Sequence, residues 1–533
     1  MEPERAGKAA MGRSTRRKEE GARRTAFEER TMAMTRLQDL LQNITVTEAF
    51  QAAEMEISGI SYHSQKVSQG ELFICITGYS TDGHKYLGDA VRRGAAAAIV
   101  ERIQPEIDVP QYVVPNSRIA MARLASAFYG HPSDKMTMIG ITATNGKTST
   151  TYMTNAILEQ HGFKTGMMGT VVIKIDDERI PSELTTPESL DLQAYLKQMV
   201  DRGVSHVSME VSSAAQETHR VETVDYDIVC FNNLSREHID SHGTFENYFA
   251  AKSRLIREAG TNSFAVLNLD DEHAASLVTQ TSAQVVTFGM KSREGVLSCK
   301  DLDLSTGRAK FTVEIMKPFQ TLGGERLMPG EFRVELRIPG LHSVYNSMAA
   351  IAIALLCGVS VATVQETLRT FGGVERRFEF IHENAFTIID DHFANPGNID
   401  VTLETLRYMD YENFHLVYAI RGARGPIINR ENAESIVKWM NRLERHELIA
   451  TRSQSHVNRH NTVSDEEVDV FLAVMNEAGI EVKLYEELPD AIGEALTQAG
   501  RGDLILLAGC QGMDPGAEIA LGLLERLGSN EGR

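Results

Sequence analysis

The five cysteines of this chain, Cys75, Cys230, Cys299, Cys357 and Cys510, lie far apart in sequence, and no Cys-x-x-Cys pair occurs. That absence excludes a zinc ribbon and leaves no disulfide framework, so a cytoplasmic location is expected. Long apolar runs are missing too. The longest, Met348 to Val364, is Ala-rich and interrupted by Gly358 and Ser360. It falls short of the ~20 residues that a bilayer span needs, so it is expected to be a buried helix and no membrane span is expected. Basic residues are outnumbered: 54 Lys and Arg against 73 Asp and Glu leave a net charge of -19, which argues against a nucleic-acid partner. Met1 to Arg30 has almost no large apolar residues and no apolar h-region, which excludes a secretory signal. Its glutamates also fit poorly with an organelle transit peptide. Residues 1–33 are therefore expected to be a disordered tail, or the product of an upstream start codon with Met32 or Met34 as the working start.

What is present is an ordinary globular composition, 42% hydrophobic and 24% charged, in a chain of 533 residues. That length exceeds one hydrophobic core, so two to four domains are expected. From Met34 to about residue 133, short apolar strands such as Leu72–Ile76 and Ala96–Val100 alternate with helical stretches, which predicts a small α/β domain. His131-Pro132-Ser133 reads as a linker. A second block, residues 134–373, opens with the strand Met136–Thr142, a Gly-containing loop and a helix from Ser149 to His161. Strand, loop and helix in that order begin a nucleotide-binding βαβ unit. Further strands are predicted at Val204–Glu210, Ile228–Asn232 and Ala265–Asn268, with an insertion or β-ribbon from Ser292 to Glu331. After the pair Gly372-Gly373, residues 374–533 alternate strands and helices again and read as a second, Rossmann-like domain.

The loop carries the chemistry. Holding a triphosphate takes backbone N–H groups at a helix start, a lysine for the phosphates and a hydroxyl for Mg²⁺. Gly146-Lys147-Thr148 supplies all three in the right context, although the generic pattern would put glycine where Ile141 stands. On the loop alone, a Gly-Lys-Thr that merely caps a helix stays open.

Seven motifs in order narrow the reading. They begin with Ile141 to Thr148, Thr185-Thr186-Pro187-Glu188, and Met209-Glu210-Val211-Ser212-Ser213. Next come Asn233 to Asp240, and His242-Gly243-Thr244 with Glu246 to Lys252. Val344-Tyr345-Asn346 and Arg377-Phe378-Glu379 complete the series. Together they resemble the Mur ligases, the amide ligases of peptidoglycan precursors, and look most like the tripeptide-forming MurE type, with a divergent C-terminal domain. The resemblance runs from about residue 34 to 509.

That resemblance implies an α/β protein of three-domain architecture. Residues 34–133 would bind the UDP-linked substrate, residues 134–373 would form a P-loop ATPase domain with a mostly parallel sheet, and 374–533 the Rossmann-like ligase domain. It implies an ATP-dependent ligase that phosphorylates a carboxylate and lets an amino acid displace the phosphate, with a UDP-MurNAc-peptide as acid. Lys147, Glu210, His238 and Lys252 would be catalytic. Thr144, Asn145, Gly146, Lys147, Thr148, Ser149, Asn346, Arg377 and Asp391 would hold ATP. Ser64, Thr185, Thr186, Ser212 and Arg220 would hold the acid substrate, Arg220 pairing with its carboxylate. Thr148, Glu210 and His238 would hold Mg²⁺, and Lys252 would carry a carbamate. A monomer is the expected state, and Gly372-Gly373 is the expected pivot for closure of the third domain over the second.

Departures from the family pattern fall unevenly. Ala143 replaces the loop's first glycine; if that position needs positive φ, alanine there costs about 1 kcal/mol. Ala214, Thr218, Ser343 and Ala394 replace histidine, glutamine, asparagine and histidine. In the third domain the Asp-Asn-Pro-Arg signature for diaminopimelate is absent, Ala450 to His456 reading Ala-Thr-Arg-Ser-Gln-Ser-His. Gly509 to Asp514 likewise replaces a Gly-Lys-Gly-His-Glu segment. Three readings follow: a ligase of the MurE type, a paralogue joining another acid and amine, and a non-catalytic nucleotide-binding homologue. The presence of Lys147, Thr148, Glu210, His238 and Lys252 weighs against the third.

Overall fold

The computed structural model describes residues 34–78, 81–235, 242–304, 308–338 and 340–530. The expected tail at 1–33 and His238 lie outside the described residues. The chain divides into two compact units. One is the chain up to His131 with Glu188–Ala194 and His219–Thr223; the other is Pro132–Pro187, Tyr195–Thr218 and everything from Val224 onward. The change of unit after His131 coincides with the expected linker, but the return of two short segments to the first unit has no signature in composition.

In the first unit, four parallel strands, Ile60–Ser61, Leu72–Ile74, Ala97–Val100 and Gln111–Val113, are joined at one edge by the antiparallel Glu48–Phe50. Leu72 and Ile74 enter one core with Leu37, Leu40 and Leu124, while Phe73 and Cys75 enter another with Leu87 and Ala98. A strand buried on both faces reads as an unbroken apolar run, which is how Leu72–Ile76 reads. Helix Ser117–Phe128 starts where the Asn116 side chain accepts from the Arg118 and Ile119 amides.

The second unit holds an eleven-stranded and a six-stranded sheet. In the larger, β1 (Thr137–Thr142), β2 (Thr165–Met168), β3 (His206–Glu210), β4 (Ile228–Phe231), β5 (Phe264–Asn268) and β6 (Gln284–Gly289) run parallel in the order β2-β3-β1-β4-β5-β6. The predicted ribbon is there: Leu297–Asp303, Lys310–Ile315 and Gly330–Glu335 continue this sheet beyond β6, the last two antiparallel. Between β1 and β2 lies helix α1 (Lys147–Gln160). The longest apolar run opens inside helix α2 (Leu341–Leu356), where every residue from Asn346 to Leu356 is buried, packed with Met153, Ile157 and Leu158 of α1. No described helix is long and apolar enough to cross a membrane. Because the chain leaves β1 toward β2 on one side and later returns to β4 on the other, the carboxyl ends of β3, β1 and β4 frame the crevice where α/β sheets take ligands.

The six-stranded sheet runs Glu379–Glu383, Thr387–Asp391, Leu504–Gly509, Phe414–Ala419, Glu447–Thr451, Glu481–Tyr485, parallel except for its first strand. Both faces are covered by helices over separate cores, the Rossmann-like arrangement predicted. Gly372 and Gly373 lie between helix Val361–Thr370 and the short bridge of Val374 with Arg377, and Gly373 has φ 105°.

Candidate functional site

The turn from β1 into α1 is fixed from outside. Thr144 N donates to Asn233 O at 2.9 Å and Asn145 N to the Asn233 side chain at 3.0 Å, while Asn233 Nδ2 returns a bond to Asn145 O at 2.8 Å. Ser235 N donates to Thr144 Oγ1 at 2.9 Å, and that hydroxyl reaches Ser235 O at 3.3 Å. Two sequence motifs are therefore one object. The left-handed residue of the turn is Gly146, at φ 86°, and a Cβ there would stand 2.2 Å from Asn346 Oδ1. Ala143 is not among the positive-φ residues, so alanine there carries no backbone strain and the cost conditional on positive φ does not arise. Asn346 is buried beneath the loop, accepting from Asn232 Nδ2 at 2.9 Å. It lies between the loop and Asn232, the residue that follows β4.

Two lysines converge on this turn. Lys147 Nζ donates to the carbonyls of Ala143 (2.9 Å) and Thr144 (3.0 Å), and Lys252 Nζ donates to the same Ala143 oxygen at 2.7 Å. Lys252 sits on helix Phe245–Arg257, which begins where Thr244 accepts from Asn247 N. Although a lysine, it is almost wholly enclosed, with Tyr248 beside it. Ser149 is half-buried in the first turn of α1.

At the end of β3, Glu210 is fully buried, which for a carboxylate demands partners. Thr148 Oγ1 donates to Glu210 Oε2 at 3.0 Å, Thr170 N to Oε1 at 2.8 Å and Thr170 Oγ1 to Oε2 at 3.1 Å. Gly169 permits this, since a Cβ on it would lie 2.3 Å from Glu210 Oε1. Thr170 Oγ1 also meets Thr185 Oγ1 at 3.1 Å. Thr186 is buried, its hydroxyl donating to Glu210 O at 2.8 Å and accepting from Ser212 N at 3.1 Å. Ser212 Oγ accepts from Ala215 N at 3.1 Å, capping helix Ser213–Glu217. Thr186 and Ser212 thus hold strand-end geometry, while Thr185 remains at the half-exposed edge. Among the described residues no group of three His, Cys, Asp or Glu side chains forms a metal cluster.

Within the first unit, Ser64 begins a short helical turn over Ser64–Lys66, capped by His63. Arg220 meets Glu188 at 3.1 Å, and Arg118 meets the same carboxylate at 3.1 Å. The arginine expected to meet a substrate carboxylate already has an internal one. Two guanidinium groups on one carboxylate still leave one positive charge in excess, which suits an anion.

Asp391 ends a strand of the six-stranded sheet, and Arg377 precedes that sheet's first strand, in the short bridge with Val374. Arg376 and Phe378, on either side of Arg377, are both left-handed at φ 56° and 55°. Asp391 is buried and accepts from the amides of Phe378 (3.0 Å) and His392 (2.9 Å) and from Thr402 Oγ1. Burial pushes its carboxyl above the usual range. Next to it, burial brings Asp390 up to about 7 despite Arg376, and holds His392 down to about 3, with Arg377, Arg376 and Arg421 acting the same way. Asn398, near the start of helix Pro396–Leu406, donates to Asn145 Oδ1 at 3.1 Å, so this part of the chain touches the phosphate loop directly. At the other strand ends, Ser453 is buried and left-handed at φ 52°, and Ser455 Oγ donates to Glu487 at 2.7 Å. Arg376 ties down the segment that replaces Gly-Lys-Gly-His-Glu, donating to Gly509 O (2.6 Å) and Cys510 O (3.2 Å) and pairing with Asp514. Asn233, Thr170, Tyr248 and Asn398 carried no assigned role in the sequence. Asn233 and Tyr248 lay inside quoted motifs, whereas Thr170 and Asn398 gave no local signal.

Residues 56–129 match the Mur ligase family catalytic domain, 141–354 the Mur ligase middle domain, and 376–511 the Mur ligase glutamate ligase domain. A UDP-N-acetylmuramoyl-L-alanyl-D-glutamate--2,6-diaminopimelate ligase of Geobacillus thermodenitrificans is 36% identical over 89% of this chain and 94% of its own length. The enzyme of that name from Caldanaerobacter subterraneus is 35% identical over 89% of this chain and 93% of its own. Among solved structures, a diaminopimelate ligase of the same name superposes with TM-score 0.64 at 23% identity, covering 90% of this chain and 94% of that one. The MurF ligase of Thermotoga maritima in complex with ADP superposes with TM-score 0.60 at 19% identity, covering 88% and 97%, a likeness of fold.

Proposed function

The chain belongs to the Mur ligase family, and from that premise we propose that it uses ATP to activate the carboxylate of a UDP-N-acetylmuramoyl peptide and joins it to an amine. The observation that carries the reading is the convergence of Lys147 and Lys252 on one carbonyl of a loop whose next helical residue, Thr148, is bonded to the buried Glu210. A carboxylate approaching a triphosphate meets like charge, and the fixed Lys147 cation at that point lowers the barrier. The α1 amides and Lys147 would take the β- and γ-phosphates, with Lys147 leaving the Ala143 and Thr144 carbonyls as they arrive. The acid attacks the γ-phosphorus to give an acyl phosphate and ADP, and the amine then displaces phosphate to form the amide.

Magnesium fits the donor set, because Thr148 and Glu210 offer oxygen to a hard cation and leave its other positions to phosphate and water. When bound it would neutralise triphosphate charge; His238 is the further proposed ligand. A carbamate on Lys252 keeps one N–H, so the contact with Ala143 is compatible with it. Ser64, Thr185 and Arg220 are proposed to face the acid substrate, and Arg377 and Asp391 the nucleotide. A cytoplasmic enzyme acting on small molecules is proposed.

A second reading concerns the amine alone. The relatives are named for 2,6-diaminopimelate, but the strand end at 450–456 and the segment 509–514 are rebuilt here. Asp514, the acid in the second of these, is paired with Arg376. A different amine on the same ATP chemistry is therefore proposed. ADP and phosphate release with UDP-N-acetylmuramoyl-L-alanyl-D-glutamate and a panel of amino acids tests both readings. Release with an amino acid other than diaminopimelate is expected. Binding of ATP with no release for any member would overturn the ligase reading in favour of a nucleotide-binding scaffold.

A further inference from the structure

Tyr248 is fully enclosed, yet both of its ends are engaged. Its hydroxyl lies 3.2 Å from Thr144 Oγ1, and its ring centroid lies 4.9 Å from Lys252 Nζ. The four-residue spacing on helix Phe245–Arg257 sets the tyrosine and the lysine on one face, one turn apart. Lys252 closes the circuit by donating to Ala143 O at 2.7 Å, one residue before Thr144. Ala143, Thr144, Tyr248 and Lys252 therefore form a ring of contacts around the first turn of the phosphate loop.

We propose that Tyr248 is a positioning residue that joins Lys252 to the phosphate loop, its hydroxyl setting the loop through Thr144 and its ring face setting the lysine. The proposal rests on the ligase reading above. The two handles obey different chemistry. A buried phenol hydroxyl keeps its place by hydrogen bonding, and it can donate to Thr144 Oγ1 while Thr144 donates to Ser235 O. Before any carbamate forms on it, the Lys252 ammonium is held over the ring face by the ring's quadrupole, which phenylalanine preserves and leucine abolishes. Lys252 cannot be placed by its own rotamers alone, since a four-carbon stem has many and only packing selects one.

Kinetics separate the two handles. In Tyr248→Phe the loop loses one anchor and the lysine keeps its seat, so KM for ATP rises about five-fold, the size of one buried hydrogen bond, with kcat within about two-fold of wild type. In Tyr248→Leu both are lost and kcat falls about 100-fold, the usual consequence of a misplaced reacting group. Phenylalanine thus rescues kcat but not KM. Thr144→Val removes the hydroxyl partner together with its two bonds to Ser235; KM for ATP should rise at least as far as in Tyr248→Phe, and adding Tyr248→Phe to Thr144→Val should raise it no further. This cycle stands even if Tyr248→Leu does not fold, which thermal melting of each variant reports. Full additivity in the double variant, or a Tyr248→Phe enzyme identical to wild type, overturns the proposal. A wild type that releases no ADP with any acceptor overturns the ligase reading instead.

Discussion

The carboxyl ends of the two sheets in the second unit hold their loops by opposite means. At the larger sheet, backbone groups of Thr144 and Asn145 are locked by bonds to Asn233, the Thr144 hydroxyl by bonds to the Ser235 backbone, and Glu210 by two threonines. At the six-stranded sheet, long side chains do the holding: Arg376 grips Gly509 O and Cys510 O, and Ser455 and His456 lean on Glu487. One acid from each end shows the contrast. Burial would raise Asp270, but backbone amides of Lys291, Ser292 and Met290 and the Tyr345 hydroxyl hold it below the usual range. Asp390 lacks such donors and rises to about 7. A backbone lock admits one geometry, which suits a reaction on a fixed triphosphate. A side-chain scaffold can be rewritten residue by residue while the sheet stays, which suits a site whose ligand differs.

The largest effect belongs to the locked end. Lys147→Ala removes the cation facing the phosphates along with its bonds to the Ala143 and Thr144 carbonyls, and the fold should stay intact. ADP release should fall by about 1,000-fold or more, with the thermal midpoint nearly unmoved. An enzyme retaining normal turnover would erase the distinction between the two ends and the mechanism with it.

That end was also the more legible in sequence. Gly146-Lys147-Thr148 after an apolar strand announces a phosphate turn, and Leu72–Ile74 and Met348–Leu356 announce buried elements by continuous apolarity. What stayed hidden needs distance information. The staple between Thr144 and Ser235 joins residues 91 apart, and the Asn398 contact with Asn145 spans 253 positions. Arg220 is the plainest case: the resemblance made it a partner for a substrate carboxylate, and only the fold reveals Glu188 already beside it.

A paired substitution sharpens the comparison within one loop. Gly146→Ala forces a left-handed residue to carry a Cβ into Asn346, whereas Ala143→Gly relieves nothing because Ala143 is not left-handed. The first should raise KM for ATP about ten-fold or more, and cost roughly 1–2 kcal/mol of stability. The second should stay within about two-fold of wild type. Steady-state ATP titrations and melting curves decide, and a gain in Ala143→Gly would mean that the loop is strained where no strain is seen.

The smallest effect tests the other end and shows in stability rather than turnover. Asp390 is enclosed, its Oδ2 has no described partner, and its carboxyl sits at about 7 against an ordinary 3.8. Between those values the folded protein binds a proton that the unfolded chain has released, so stability falls as pH rises from about 4 and stays reduced above about 7. Asp390→Asn mimics the protonated form. Its melting temperature should match wild type near pH 4 and exceed it by about 3 °C near pH 8, the gap opening across that interval. Arg376 keeps its bonds to Gly509, Cys510 and Asp514 in the variant, so the loop it organises should survive the loss of the charge. A gap of opposite sign at pH 8 would mean that the Arg376–Asp390 pair outweighs the burial of its acid. The six-stranded sheet would then be locked as firmly as the phosphate loop.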